Sequence, residues 1–221
     1  MSTHTEIEVT FVIADLAGFT ALTEIHGSLH ALHVVTRYVE MVRETLQPGA
    51  RLAERVGDAV LIVAADSPCA VRTAVRLREA AADERLFPKV RVGIHGGPVI
   101  ELDGSYFGTA LNLTARLAGH AKAGQILCTE RIASTAGALE NVRFRSLGPV
   151  RLKNIARPVD VFEIVPARRP SGTTSVDPVC RMQVSPRAAP ARLRLGGRTH
   201  YFCSLACAKA LADHPDQEAP R

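Results

Sequence analysis

No stretch of this 221-residue chain approaches the ~20 uninterrupted apolar residues of a membrane-crossing helix. Nor does the N-terminus, MSTHTEIEV, pair a basic region with an apolar run, so no secretory signal is expected and a cytoplasmic location is. Blocks of basic residues are also missing. The formal charge is +5, yet residues 1–166 carry 18 basic and 18 acidic side chains, against nine and four in residues 167–221. The tail arginines are dispersed and no aromatic series interleaves them. They read as a solvated basic surface, with neither nucleic acid nor membrane expected as a partner. An even cysteine count is missing too. Of five cysteines, Cys69 and Cys128 fall in helical and strand patterns and read as buried small hydrophobes. Cys180, Cys203 and Cys207 cluster in the tail, where an odd set argues for metal or redox chemistry rather than structural disulfides.

What is present begins with FVIADLAGFT, residues 11–20. Four apolar residues before Asp15 suit a strand covered on both faces. Gly18 lets a ligand approach the backbone, and Phe19 and Thr20 open a helix whose free N–H groups favour an anion. In RVGDAVLIVA a second carboxylate, Asp58, follows Gly57 at a hairpin turn between apolar runs. Two strand-end carboxylates beside a helix N-terminus suit Mg²⁺ held against a triphosphate, although Gly-Asp by itself is also a common turn.

The order of elements follows from periodicity and punctuation. Leu32, Val35, Val39, Val42 and Leu46 predict one face of a long helix, ended by Pro48-Gly49. His26, His30 and His33 share a face of it and, lacking a carboxylate or cysteine partner there, read as solvated. Asp66-Ser67-Pro68 predicts a capped helix start, with Ala70, Val71, Ala74, Val75, Leu77 and Ala81 facing the core. Residues 90–96 predict a strand, 106–118 a helix, 125–128 a strand, and 142–152 and 159–165 late strands. The sum is an α+β chain built on a ferredoxin-like βαββαβ unit. Residues 167–175, rich in proline, glycine, serine and threonine, predict a linker between a domain at 1–166 and a small one at 176–221.

Five motifs in this order, FVIADLAGFT, RVGDAVLIVA, VRVGIHGGPV, YFGTALNLTARL and LGPVRLKNIARPVDVFEIV, resemble the class III nucleotidyl cyclases over roughly residues 8–166. The resemblance implies conversion of ATP or GTP to a 3′,5′-cyclic monophosphate and pyrophosphate, with two Mg²⁺ or Mn²⁺ ions per site on Asp15 and Asp58. It implies that Asn112 orients the ribose and Arg116 stabilises charge on the α-phosphate; four residues apart, they share a helix face. Lys153 matches the lysine that meets the outer phosphates, with Asn154 in place of the usual glycine. The family splits these sets between subunits, so a head-to-tail homodimer with two shared sites is implied.

Departures fall on the base pocket. Adenine-specific members carry lysine and aspartate where this chain has Glu54 and Ser105. Glutamate at the first position is what guanylyl cyclases use, so ATP, GTP and even a pyrimidine triphosphate stay open. The second resemblance lies in DPVCRMQV, THYFCSLAC and His214-Pro215, which are similar to a YHS domain, a small treble-clef-like metal module. Cys180, Cys203 and Cys207 then suit Zn²⁺ or Cu⁺. Arg181 stands where glycine is frequent, and the fourth ligand is unassigned, with His200 a candidate. The leading expectation is a signalling cyclase regulated by metal at its tail. The alternative is a catalytically silent, dimeric, nucleotide- or metal-responsive module.

Overall fold

The computed structural model describes residues 5–167 and 174–214. Its first part runs β1 (Glu6–Leu16), α1 (Phe19–Thr45), β2 (Ala50–Val56), β3 (Ala59–Ala64), α2 (Ser67–Asp83) and β4 (Val90–Leu102), which is the expected βαββαβ unit. Then come β5 (Ser105–Phe107), α3 (Thr109–His120), β6 (Ile126–Thr129), α4 (Glu130–Thr135), β7 (Val142–Val150) and β8 (Val159–Pro166). The sheet order is β2-β3-β1-β4-β6-β8-β7, with β5 folded back on β4. Strand β1 lies at the centre, antiparallel to both β3 and β4.

Alternation along the strands divides the core. Val12, Ala14, Leu16, Val60, Ile62, Val92 and Ile94 pack with α1 and α2 on one face. Val9 and Phe11 pack with Tyr106 and Ala110 on the other, where Phe11 meets Tyr106 edge-on at 5.3 Å between ring centroids. Helix α2 starts as its sequence demands: the Asp66 carboxylate accepts from the Cys69 N–H at 2.7 Å, with proline in the first turn.

Three expectations need correction. The buried stripe of α1 is Ala31, Val34, Val35, Tyr38, Met41, Val42 and Thr45, while Leu32 is 58% exposed. Leu32 lies six residues from Tyr38, the stripe's centre, which is a net ~120° around the helix. Tyr106 and Phe107, expected to open a helix, belong to β5 instead, and α3 starts only at Thr109 after Gly108, which takes φ 158° against Val99. The strand expected at 142–152 ends at Val150, and Lys153 sits in the turn that follows, between β7 and β8.

The tail comprises β9 (Ser175–Val176), β10 (Gln183–Val184), the hairpin β11 (Ala191–Leu195) and β12 (Arg198–Phe202), and α5 (Leu205–Asp213). Most of the expected linker lies outside the described residues, and Ser175 at its end is already paired in β9. The tail is docked on the first part. Gln183 donates from its backbone N–H to Phe87 O at 3.0 Å and from Nε2 to Ala81 O at 2.7 Å. Cys180, Met182, Phe202, Cys207 and Leu211 are buried in the same cluster as α1 and α2.

Candidate active site and tail metal centre

Strand pairing brings the two carboxylates together. Asp15, next to last in β1, is registered opposite Ala59, the first residue of β3, and Asp58 precedes it in a two-residue turn. Gly57 there has φ 62°, which glycine tolerates without strain. The Asp58 carboxyl is pushed up to about 7, first by burial and then by sharing a hydrogen bond and negative charge with Asp15. Arg91 is the counter-charge: its Nε donates to Asp15 Oδ2 at 2.8 Å and its Nη2 also reaches that oxygen. Beneath them the Tyr38 hydroxyl, fully buried without a hydrogen-bond partner, is held neutral by burial and by the field of Asp15 and Asp58. Helix α1 starts beside the pair. Gly18 takes φ 80° at its N-cap and no side chain caps it, so its leading N–H groups are offered outward.

On the same sheet face, residues Glu54, Leu61 and Ile13 form the row behind the Asp15–Ala59 row. Glu54 therefore stands about 7 Å along the strands from the carboxylates, exposed, just after a β-bulge. Ser105 is exposed at the start of β5, and the neighbouring Tyr106 hydroxyl accepts from Arg51 Nη2 of β2. Asn112 and Arg116 lie on the outward side of α3. Among the described residues, no hydrogen bond or ion pair engages the side chains of Asn112, Arg116 or Lys153. Asn154 has φ 62°, a left-handed turn conformation that explains why glycine suits that position and asparagine replaces it tolerably.

The tail gathers Cys180, Cys203 and Cys207, and adds a ligand atom from the other part of the chain, His26 Nε2. The four donor atoms lie within 4.8 Å of one another. Cys203 Sγ is 3.3 Å from Cys180 Sγ and 3.6 Å from Cys207 Sγ, while His26 Nε2 is 3.4 Å from Cys203 Sγ and 3.5 Å from Cys207 Sγ. Asp177, fully buried, builds the knuckle by accepting from the N–H groups of Val179, Cys180 and Cys203. Hydrogen bonds from Cys180 and then Cys203 push the Cys207 thiol down, so the cluster holds a thiolate readily. The reading of His26 as solvated is thus corrected: its partners come from a segment over 150 residues away. His30 and His33 are exposed, as expected. His200 pairs across the β11–β12 hairpin with Leu193 and is outside the cluster.

The profile of the adenylate and guanylate cyclase catalytic domain matches residues 1–164, and that of the YHS domain matches residues 175–221. The chain belongs to the adenylate and guanylate cyclase family. It is 28% identical over 160 residues to a pH-sensitive adenylate cyclase of Mycobacterium tuberculosis, covering 71% of this chain and 40% of that protein. The chain thus spans less than half of that relative's length. Among solved structures it resembles the adenylyl cyclase CyaB of P. aeruginosa, with TM-score 0.65, 22% identity, and 76% and 98% of the two chains covered. The guanylate cyclase domain of RhGC from Catenaria anguillulae, solved with GTP, gives TM-score 0.62, 18% identity, and coverage of 74% and 100%. Adenylyl and guanylyl cyclases therefore share this fold with the chain, and the fold does not choose the base.

Both donor sets of the chain fit cations. Asp15 and Asp58 crowd two carboxylates against a single arginine, a surplus of negative charge that a hard divalent ion relieves. The three sulfurs and one imidazole suit a soft ion. Sequence reasoning missed Arg91 and His26. Arg91 needed the β1–β4 register, and His26 needed the docking of the tail.

Proposed function

We propose that this cyclase converts a purine nucleoside triphosphate, ATP or GTP, into its 3′,5′-cyclic monophosphate and pyrophosphate, as a homodimer with shared sites. One observation supports the reading most strongly. Asp15 and Asp58 are paired at the end of β1, beside the uncapped N-terminus of α1, on the sheet face that also carries Glu54.

In this reading Asp15 and Asp58 hold Mg²⁺ or Mn²⁺. When bound, the metal supplies Lewis-acid activation of the ribose 3′-hydroxyl and neutralises the phosphates. The chain's own part is positioning and charge. The N–H groups behind Gly18, at Phe19 and Thr20, cradle the triphosphate. Arg91 holds the Asp15 carboxylate in place through its guanidinium. Glu54 and Ser105 contact the base, with the Glu54 carboxylate able to accept from guanine's N–H groups. Arg116 offers its planar fork of donors to the α-phosphate as charge develops, Asn112 orients the ribose, and Lys153 meets the leaving pyrophosphate. Because Asn112 and Arg116 face solvent on α3 and Lys153 faces solvent in the turn between β7 and β8, a partner subunit brings this set over the carboxylates. The tail cysteines hold Zn²⁺ or Cu⁺.

The test is incubation of the pure protein with each nucleoside triphosphate and Mn²⁺, with products identified by mass. Cyclic AMP or cyclic GMP above a protein-free control is the expected result. Nucleotide binding without any cyclic product would instead make the chain a silent binding module.

A further inference from the structure

We propose that His26, Cys180, Cys203 and Cys207 form one tetrahedral site for a soft transition metal, and that the loaded site staples the tail to the helix that opens the phosphate-binding loop. A tetrahedral Zn²⁺ with bonds of about 2.3 Å to sulfur and 2.0–2.1 Å to nitrogen needs S···S separations near ~3.8 Å and S···N separations near ~3.5 Å. Two of the three S···S edges are 3.3 and 3.6 Å and two of the three S···N edges are 3.4 and 3.5 Å, with all four donor atoms within 4.8 Å of one another. The cage is therefore nearly at metal-binding size already. Three thiolates and an imidazole select Zn²⁺ or Cu⁺ over the hard ions of the carboxylate pair.

The place of His26 gives the site its consequence. Gly27 breaks α1 with φ 80° and ψ 166°, so Phe19–His26 is an eight-residue segment separated from the long buried part of the helix. Such a short helix is marginal by itself. It is held at both ends by the tail. At its C-terminal end His26 joins the cysteines. At its start the knuckle packs on Gly18: a Cβ built there would lie 2.3 Å from Arg181 Cγ and 2.6 Å from Arg181 Cβ, with Cys180 O at 3.4 Å. Arg181 takes φ 64° to do this, the reason glycine is frequent at its position. Loading the metal fixes Cys180 and His26 together, and with them the segment whose N–H groups face the phosphates. The metal thus preorganises nucleotide binding; this last step rests on the cyclase reading, while the site itself does not.

The test uses the full chain, reduced and freed of metal, titrated with Co²⁺ and with Zn²⁺ against a chromophoric chelator. One Co²⁺ per chain is expected, with the thiolate charge-transfer and intense visible bands of a tetrahedral site. His26→Ala should weaken Zn²⁺ binding by at least ~10-fold, and His26→Cys, which restores a fourth ligand, should recover it. Hydrogen exchange across residues 19–26 should slow on Zn²⁺ loading in the wild type and in His26→Cys, but not in His26→Ala. A non-cyclisable triphosphate analogue should bind several-fold tighter to the loaded wild type than to loaded His26→Ala. Equal Zn²⁺ affinity in wild type and His26→Ala, or thiols lost to a disulfide with no metal bound, would overturn the site. Exchange protection confined to the tail, or Zn²⁺ that weakens analogue binding through the same cysteines, would overturn the staple. If no cyclic product is ever found, the spectra, affinities and exchange still decide the site.

Discussion

Gly93→Ala is the sharpest probe of how the fold positions the exposed half of the site. Gly93 lies in β4 opposite Ile13, directly under α3. A Cβ added there would meet Ala118 N at 2.4 Å, Thr114 O at 2.5 Å and Leu117 Cβ at 2.9 Å, where ordinary contact starts at 3.4 Å. Two of the three neighbours are helix backbone, which cannot rotate aside. Thr114 is also locked, fully buried with its hydroxyl donating to Ala110 O at 2.8 Å. Helix α3 must therefore withdraw by about 1 Å. Overpacking of this kind costs ~1–3 kcal/mol, and backbone neighbours put it at the upper end. For a chain of this size that is a fall in Tm of roughly 5–10 °C. Asn112 and Arg116 flank Thr114, so they move with it. A misplacement of ~1 Å can cost about 100-fold in rate. Gly119→Ala on the same helix is the control: nothing lies within 4 Å of its added carbon, and removing a helical glycine should stabilise by up to ~1 kcal/mol. Thermal unfolding and kcat at saturating Mn²⁺ would be measured side by side. A Gly93→Ala protein with unchanged Tm and unchanged turnover would refute the close packing of α3 on β4 and its role in aiming Asn112 and Arg116.

Asp15→Ala and Asp58→Asn should each abolish cyclisation, while metal-free Asp58→Asn at pH 8 should be at least as stable as the wild type. The Asp58 carboxyl is pushed up to about 7, so its ionised form burdens the fold above that pH; retained turnover, or a lower Tm for Asp58→Asn, would count against the paired site. Glu54→Lys should lower GTP use and raise ATP use, because an ammonium leaves guanine's donors unpaired at a cost of ~1–3 kcal/mol; identical substrate profiles would place Glu54 outside the pocket. His95, held down to about 4 by burial and bonded through Nδ1 to Thr129 Oγ1 at 2.8 Å, favours the neutral imidazole in the fold. Its unfolded value is 6.5, so stability is full above that pH and is lost as pH falls toward 4. His95→Gln should flatten that part of the stability–pH curve, and an unchanged slope would show that another group carries it.

Much of this molecule was legible because local rules and global packing agree in it. The FVIA run is a central strand, Asp66 caps α2 as its position requires, and Gly57-Asp58 turns between two antiparallel strands. What stayed hidden depended on distance in sequence. Arg91 reads as an ordinary alternating strand residue until β4 is laid against β1, and only then does it face Asp15. His26 offers no local partner, and its three cysteines arrive from the tail. The apolar face expected on α1 starts at Leu32, already beyond the Gly27 break, and spacing alone puts Leu32 on the buried side although it lies ~120° around the helix from Tyr38 and is exposed. Two departures from family pattern gained a reason from backbone geometry. Asn154 and Arg181 both occupy left-handed conformations, so each stands at a place where glycine relieves strain.

The most direct test of the shared site is complementation between inactive variants. Asp58→Ala lacks a carboxylate of the proposed metal site, and Arg116→Ala lacks the exposed guanidinium on α3. Each homodimer should be inactive, because both of its sites miss the same part. Mixed under conditions of demonstrated subunit exchange, they form heterodimers in which one site carries both defects and the other is complete. The account predicts recovery toward about a quarter of wild-type turnover at equal mixing, from half the dimers bearing one site of two. No recovery despite exchange would contradict it, because each site would then take its carboxylates and its α3 from a single subunit.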